Sequence, residues 1–183
     1  NSLRVFLMSS TDNPRIQQLN NILDLSNMQY VSNGNENLNP AYSHRFNMHY
    51  NYTNLEKART FMWMFSFQTT QDFLAQSMYT GNNIPENIIN EVGARPIQYS
   101  TTENVDGFLN VRTHLNYGLP LNFMKCNLNI MGGVNYSETP SLINGEKNIA
   151  SNIGYDARVV LGSNISENID FTLSWGGTFN QAN

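Results

Sequence analysis

Apolar and polar residues alternate along most of this chain with a period of two. From Leu109 to Tyr117 the odd positions hold Leu109, Val111, Thr113, Leu115 and Tyr117, and the even ones Asn110, Arg112, His114 and Asn116. A strand sends successive side chains to opposite faces, so such a run has one apolar and one polar face. The same pattern recurs downstream. Cys126, Leu128, Ile130, Val134 and Tyr136 alternate with Asn127, Asn129 and Asn135; Ile153 to Leu161 and Ile169 to Phe179 follow suit. Upstream, Tyr42 to Tyr52, Phe61 to Phe67 and a shorter Leu3–Leu7 run complete a set of seven predicted strands.

The predicted connections alternate in length. Thr53–Arg59, Gly118–Asn122 and Ser163–Asn168 are short, whereas Ser10–Ala41, Gly81–Arg95 and about Ser137–Asn148 are long. Outer-membrane barrels have short periplasmic turns and long extracellular loops. Aromatic residues gather near the strand ends, Tyr50, Tyr52, Phe61, Tyr117 and Phe123 at one level and Tyr42, Tyr136 and Phe179 at the other. Two aromatic girdles around an aliphatic band suit a bilayer, whose headgroup level favours amphipathic rings. The expectation is an all-β antiparallel meander of about seven transmembrane strands, forming one barrel segment over residues 1–183. A soluble secreted β-sandwich, used as a binding or adhesin-like module, is the alternative, because a sandwich alternates too. Tyr79 and Tyr99 would lie on strand extensions beyond the membrane.

Composition narrows the classes further. The 183 residues carry a net charge of -4 and only 13% charged side chains, with thirty asparagines. Ten scattered Lys and Arg do not make a nucleic-acid footprint. A single cysteine, Cys126, excludes an internal disulfide framework. The apolar run Phe61–Phe65 is far too short for a membrane helix, which needs about 20 residues. Mean hydropathy is -0.42, a value compatible with a barrel because half of each strand faces its polar lumen. Seven strands is an odd number with two open edges, and an unpaired edge in lipid leaves backbone groups unsatisfied. The chain is therefore expected to be part of a larger barrel, or to pair with another chain.

Two loop stretches carry a resemblance. Ser10-Thr11-Asp12-Asn13-Pro14-Arg15-Ile16-Gln17-Gln18-Leu19 is followed by Gly34-Asn35-Glu36-Asn37-Leu38-Asn39-Pro40. This resembles the barrel of TonB-dependent receptors of the type abundant in Bacteroidota, although Asn37 stands where that family often has Pro and Ala41 where it often has Glu. Thr139–Gly145 and Ser163–Phe171 are similar to the same family. The resemblance implies an outer-membrane location in a Gram-negative bacterium and energised nutrient uptake through about 22 strands. It also implies outer-membrane lipid, a plug domain, TonB acting through that plug and a surface lipoprotein as partners. The Asn-Pro element is expected to lead from a long outer loop into the next strand.

Candidate chemistry is sparse. His44 falls on the apolar face, and His49 and His114 on the polar face of non-neighbouring strands, which yields neither metal-ligand spacing nor a nucleophile–base pair. No enzyme activity, metal or cofactor is expected. Arg4, Arg45, Arg112, Asp156, Arg158 and Asp170 project to the polar face and are the candidate lumen-lining residues. Tyr30, Tyr79 and Tyr99 are candidate loop contacts to a ligand. Gly132-Gly133 and Gly176-Gly177 inside strands predict bends or close approaches.

Overall fold

The computed structural model describes residues 1–163 and 171–182. Ten strands and two short α-helices occur among them, with two single 3-10 turns at Gly81–Asn83 and Asn122–Met124. In chain order these are β1 (Ser2–Asp12), α1 (Ile16–Leu19), β2 (Tyr30–Ser32), β3 (Ala41–Asn54), β4 (Arg59–Gln71) and β5 (Phe73–Thr80). Then follow α2 (Glu86–Val92), β6 (Gln98–Val105), β7 (Phe108–Leu121), β8 (Cys126–Ile143), β9 (Glu146–Ser163) and β10 (Thr172–Ala182). The seven predicted strands are β1, β3, β4, β7, β8, β9 and β10. They pair antiparallel in that order and form a wall. Strand β10 starts at Thr172, so the predicted onset at Ile169 lies outside the described residues.

Directly opposed residues of an antiparallel pair share a face, which makes the wall's two faces readable from its register. Val5, Met48, Phe65, Thr113, Val134, Tyr155 and Phe179 stand in one line across all seven strands. The parallel lines are apolar too, with Leu7, Phe46, Phe67 and Val111 in one and Leu128, Leu161 and Leu173 in another. No second sheet covers this face among the described residues: Leu7 is 80% exposed and Trp175 74%. That removes the sandwich, in which the apolar faces would meet in one core. Several polar groups on this face are bonded to one another. The Trp63 indole N–H donates to Thr113 Oγ1 at 2.9 Å, Ser9 and His44 are bonded at 2.8 Å, and the Tyr136 hydroxyl donates to Glu138.

Two departures from the sequence reading have clear causes. The segment Ser137–Asn148 is no long loop. Strands β8 and β9 run on to a two-residue turn at Asn144-Gly145, both with positive φ (54° and 81°). Asn-Gly at that place favours a tight hairpin turn whose twist matches the strands. The other departure is the hairpin β5–β6, which continues β4 and β7 past a break at Asp72 and Asp106-Gly107. Asp72 has φ 51° and Gly107 φ 110°. Below the break the neighbours are β4, β7 and β8; above it β5 lies beside β8 and β6 beyond β5. The ribbon has turned over, exchanging the places of its two strands. The Asp72 N–H donates to Asp106 Oδ1 at 2.9 Å across the break.

The turned-over hairpin and the 13–40 loop together build a cap with a core of its own. Leu23, Val31, Ile84, Ile88 and Tyr99 are buried together, with Tyr79, Ile89 and Val92 packed against them. Strand β2 adds in parallel to β6, placing Val31 beside Tyr99. Within the loop, Gly34 N–H and Asn35 N–H donate to Asn20 O and Gln18 O at 2.8 and 2.6 Å. The backbone of Gln18 occupies the space where a Gly34 side chain would be. The Asn-Pro element does lead into a strand: Asn39 exchanges two hydrogen bonds with the Asn104 amide, at 2.8 and 2.9 Å, and Pro40 precedes β3.

Candidate functional site

The polar face of the wall carries the chain's candidate chemistry. Alternation places Arg4, Arg45 and Arg112 there, on β1, β3 and β7, and register fixes their neighbours. Arg45 lies opposite Gln68, and Gln68 opposite Asn110; one step down the sheet Asn47, Ser66 and Arg112 form the next line. Arg45 and Arg112 thus flank β4, on strands about 10 Å apart at the usual interstrand spacing. Arg45 donates to Gln68 Oε1 through Nε and Nη2, at 3.3 and 2.8 Å. Arg112 donates through Nε to Asn135 Oδ1 at 3.4 Å. Both partners are neutral amides, so among the described residues neither guanidinium is paired with a carboxylate.

Above them the wall meets the cap in a trough. Two adjoining hollows, of about 490 and 440 Å³, share Gln68 and Phe108. The upper one reaches Arg15, Gln17 and Gln18 of the long loop, and the lower one contains Arg45 and Arg112. Phe108 stacks on Phe73 across the turned-over neck, with ring centroids 4.8 Å apart and planes at 13°. The result is a polar, amide-rich surface with one aromatic platform and three guanidinium groups against Asp12. Sequence reasoning missed the platform. Its signal was present, because Phe108 stands at the polar parity of the Leu109–Tyr117 alternation.

Asp156 and Arg158 are inner-face residues of a second kind. Each lies opposite a glycine of the adjoining strand: Gly133 faces Asp156 and Gly176 faces Arg158. The Asp156 carboxylate fills the space where a Gly133 side chain would be, and a methyl on Gly176 would stand 3.2 Å from Arg158 Cγ. Asn129 lies likewise over Gly118, and Asn180 over Gly154. Of the two glycine pairs, Gly133 and Gly176 are close approaches, whereas a methyl on Gly132 would make only an ordinary contact and one on Gly177 would meet nothing within 4 Å. Four polar side chains are thereby laid along the wall. Asp170 lies outside the described residues.

The three candidate loop tyrosines all sit in the cap, in different settings. Tyr30 is 54% exposed on β2. Tyr79 and Tyr99 face one another on β5 and β6, stacked at 5.8 Å. Tyr99 is buried, its hydroxyl donating to Asn33 Oδ1 at 2.7 Å, and burial pushes its phenol above the ordinary pKa of 10.0. The Tyr79 hydroxyl donates to Glu103 Oε1 at 2.9 Å. Tyr99 is thus a member of the cap's core, while Tyr30 offers its ring to the outside. Among the described residues no three His, Cys, Asp or Glu side chains are grouped to hold a metal ion.

Wall, register and polar lumen face find their counterpart in one comparison: residues 2–183 match the outer membrane protein β-barrel family. The chain belongs to that family. No curated protein and no solved structure shows significant similarity to it. Membership places the outer membrane protein β-barrel chain in the outer membrane, with its apolar face toward lipid and its polar face toward the lumen. The lipid environment explains the uncovered Leu, Val and Trp side chains, which in water would be a large exposed apolar patch.

Proposed function

We propose that the chain is a stretch of wall and outer cap from a TonB-dependent receptor that imports a nutrient. The observation that carries this reading is the trough: a polar lumen-facing surface directly beneath a cap with its own hydrophobic core. The cap faces outside and helps capture the solute; the trough with Arg45, Arg112 and the Phe108 platform lies on its way inward. Strands β1 and β10 each pair on one side only among the described residues. In lipid the free edges require further strands, since each unsatisfied backbone group costs several kcal/mol. Under this reading the remainder of the barrel supplies those strands, a plug domain fills the lumen, and TonB pulls on the plug. A surface lipoprotein would bind over the cap. The proposal assigns no covalent chemistry to the chain.

The deciding experiment is cross-linking of the intact protein to TonB in cells, combined with its denatured mass from the outer-membrane fraction. A mass several times 20.8 kDa with a TonB adduct is the expected result. A folded outer-membrane protein that yields no adduct, under conditions where a known receptor does, sinks the import reading and leaves the barrel standing.

A further inference from the structure

One line of the lumen face brings together side chains that lie far apart in sequence. Across the wall it runs Arg4, His49, Met64, His114, Gly133 and Asp156. His49 and His114 flank Met64, each directly opposite it. On one face of an antiparallel sheet, directly opposed Cβ atoms are about 5 Å apart, so two imidazoles bracket one thioether. The histidines also differ from His44 in their bonding. His44 is held by Ser9, whereas neither His49 nor His114 has a hydrogen-bond partner among the described residues. His49 makes only an edge contact with the Phe6 ring, at 6.2 Å. All three residues are half-buried and, by register, on the lumen face of the sheet.

We propose that His49, Met64 and His114 form a lumen-facing binding site for Cu(I). The donor set selects the ion. A thioether favours soft Cu(I), and imidazole suits copper as well. Zinc prefers thiolate, imidazole and carboxylate ligands gathered at one point, and among the described residues no three His, Cys, Asp or Glu side chains are so grouped. Binding gives each imidazole one metal bond at its unprotonated nitrogen, with no change in oxidation state. The charges on either side are unequal in position: Arg4 faces His49 directly, while the Asp156 carboxylate lies over Gly133 on the side of His114. Asp156 therefore offsets the incoming positive charge, and the missing Gly133 side chain is what lets it lean there. The site needs only the barrel wall and does not depend on energised import.

The test uses the intact protein in detergent, without oxygen, competing against a chromophoric Cu(I) chelator. The expected result is one Cu(I) per chain, with a mixed nitrogen–sulfur shell in X-ray absorption. His49→Gln and His114→Gln each remove a ligand and weaken binding by at least the roughly ten- to hundredfold that loss of a partner behind a ligand causes. Met64→Leu weakens it comparably and removes the sulfur signal. Heat-modifiable gel migration checks that each variant is a folded barrel. Failure of the folded wild-type protein to compete overturns the site; Cu(I) held unchanged by the Gln variants does so too. Retention by Met64→Leu with the same spectrum would remove the thioether and with it the choice of copper.

Discussion

The seven-stranded wall and the cap carried on two of its strands use the same apolar residue types in opposite ways. In the wall, Leu7, Phe65, Leu173 and Trp175 point away from the protein, and the surrounding lipid is their partner. In the cap, Leu23, Val31, Ile84 and Ile88 point at each other. The wall therefore owes its stability to cross-strand hydrogen bonds and to the membrane, while the cap owes it to a small core. One region depends on its solvent being a bilayer, the other on excluding water by itself. The two fail under different conditions, and each can be broken without the other.

The largest separate effect is expected in the cap. Val31→Asp buries an unpaired charge at a site that is 1% exposed and should cost about 4 kcal/mol or more. Proteolysis would then nick the 13–40 loop while the barrel keeps its heat-modifiable migration. If barrel and cap were lost together, the two regions would not be independent. Phe65→Arg does the reverse, placing a cation on the lipid face at a cost of about 2–4 kcal/mol near the midplane. Urea titration of folding into bilayers reads that loss. The same protein stabilised in detergent should still protect the cap from protease.

Smaller changes sharpen the contrast. Gly34→Ala forces the two arms of the long loop apart, at about 1–3 kcal/mol for overpacking, and hydrogen exchange at Gly34 and Asn35 should rise without change in β3 or β4. Trp63→Phe removes the bond to Thr113 and leaves that hydroxyl alone in lipid, worth about 1 kcal/mol; the urea midpoint of the wall should fall slightly. The smallest effect is in pH. The Tyr99 phenol is raised in the folded cap, so folded and unfolded states are both protonated below pH 10.0. Above that, the unfolded state loses its proton first and cap stability falls as pH climbs toward the raised value. Cap protection should therefore decline in base, and Tyr99→Phe should flatten that decline.

The two regions were also unequally legible. Strict alternation located all seven strands of the wall, because each strand has one lipid and one lumen face and its signal is local. Register sets Arg45, Arg112, Asp156 and Arg158 on the polar face of the sheet, the face their alternation implies. The cap was hidden, since its core is assembled from separate loop segments joined by the parallel pairing of β2 and β6. Ile88, Ile89 and Val92 carry a helical spacing within the predicted Gly81–Arg95 connection, and α2 occupies Glu86–Val92 of it. Register was the other blind spot. The meander puts β7 next to β4, but only the register sets His49 and His114 opposite the same Met64. A period of two tells which face a residue takes but never which residue stands opposite it.

The turned-over neck also dictates an order of assembly. Strand β5 is held by the far end of β8, where Ser77 and Met78 pair with Leu142 and Ile143. Asn144 completes the seam by accepting from Thr80 N–H and donating to Met78 O, at 2.8 and 2.7 Å. Thr80 and Asn144 are 64 residues apart in the chain, so this contact closes a long loop and comes late for entropic reasons. The β5–β6 ribbon can form early on its own, but it has nowhere to dock until the β8–β9 hairpin has zipped to its tip. A finished seam is thus a record that the wall beneath it is already in place.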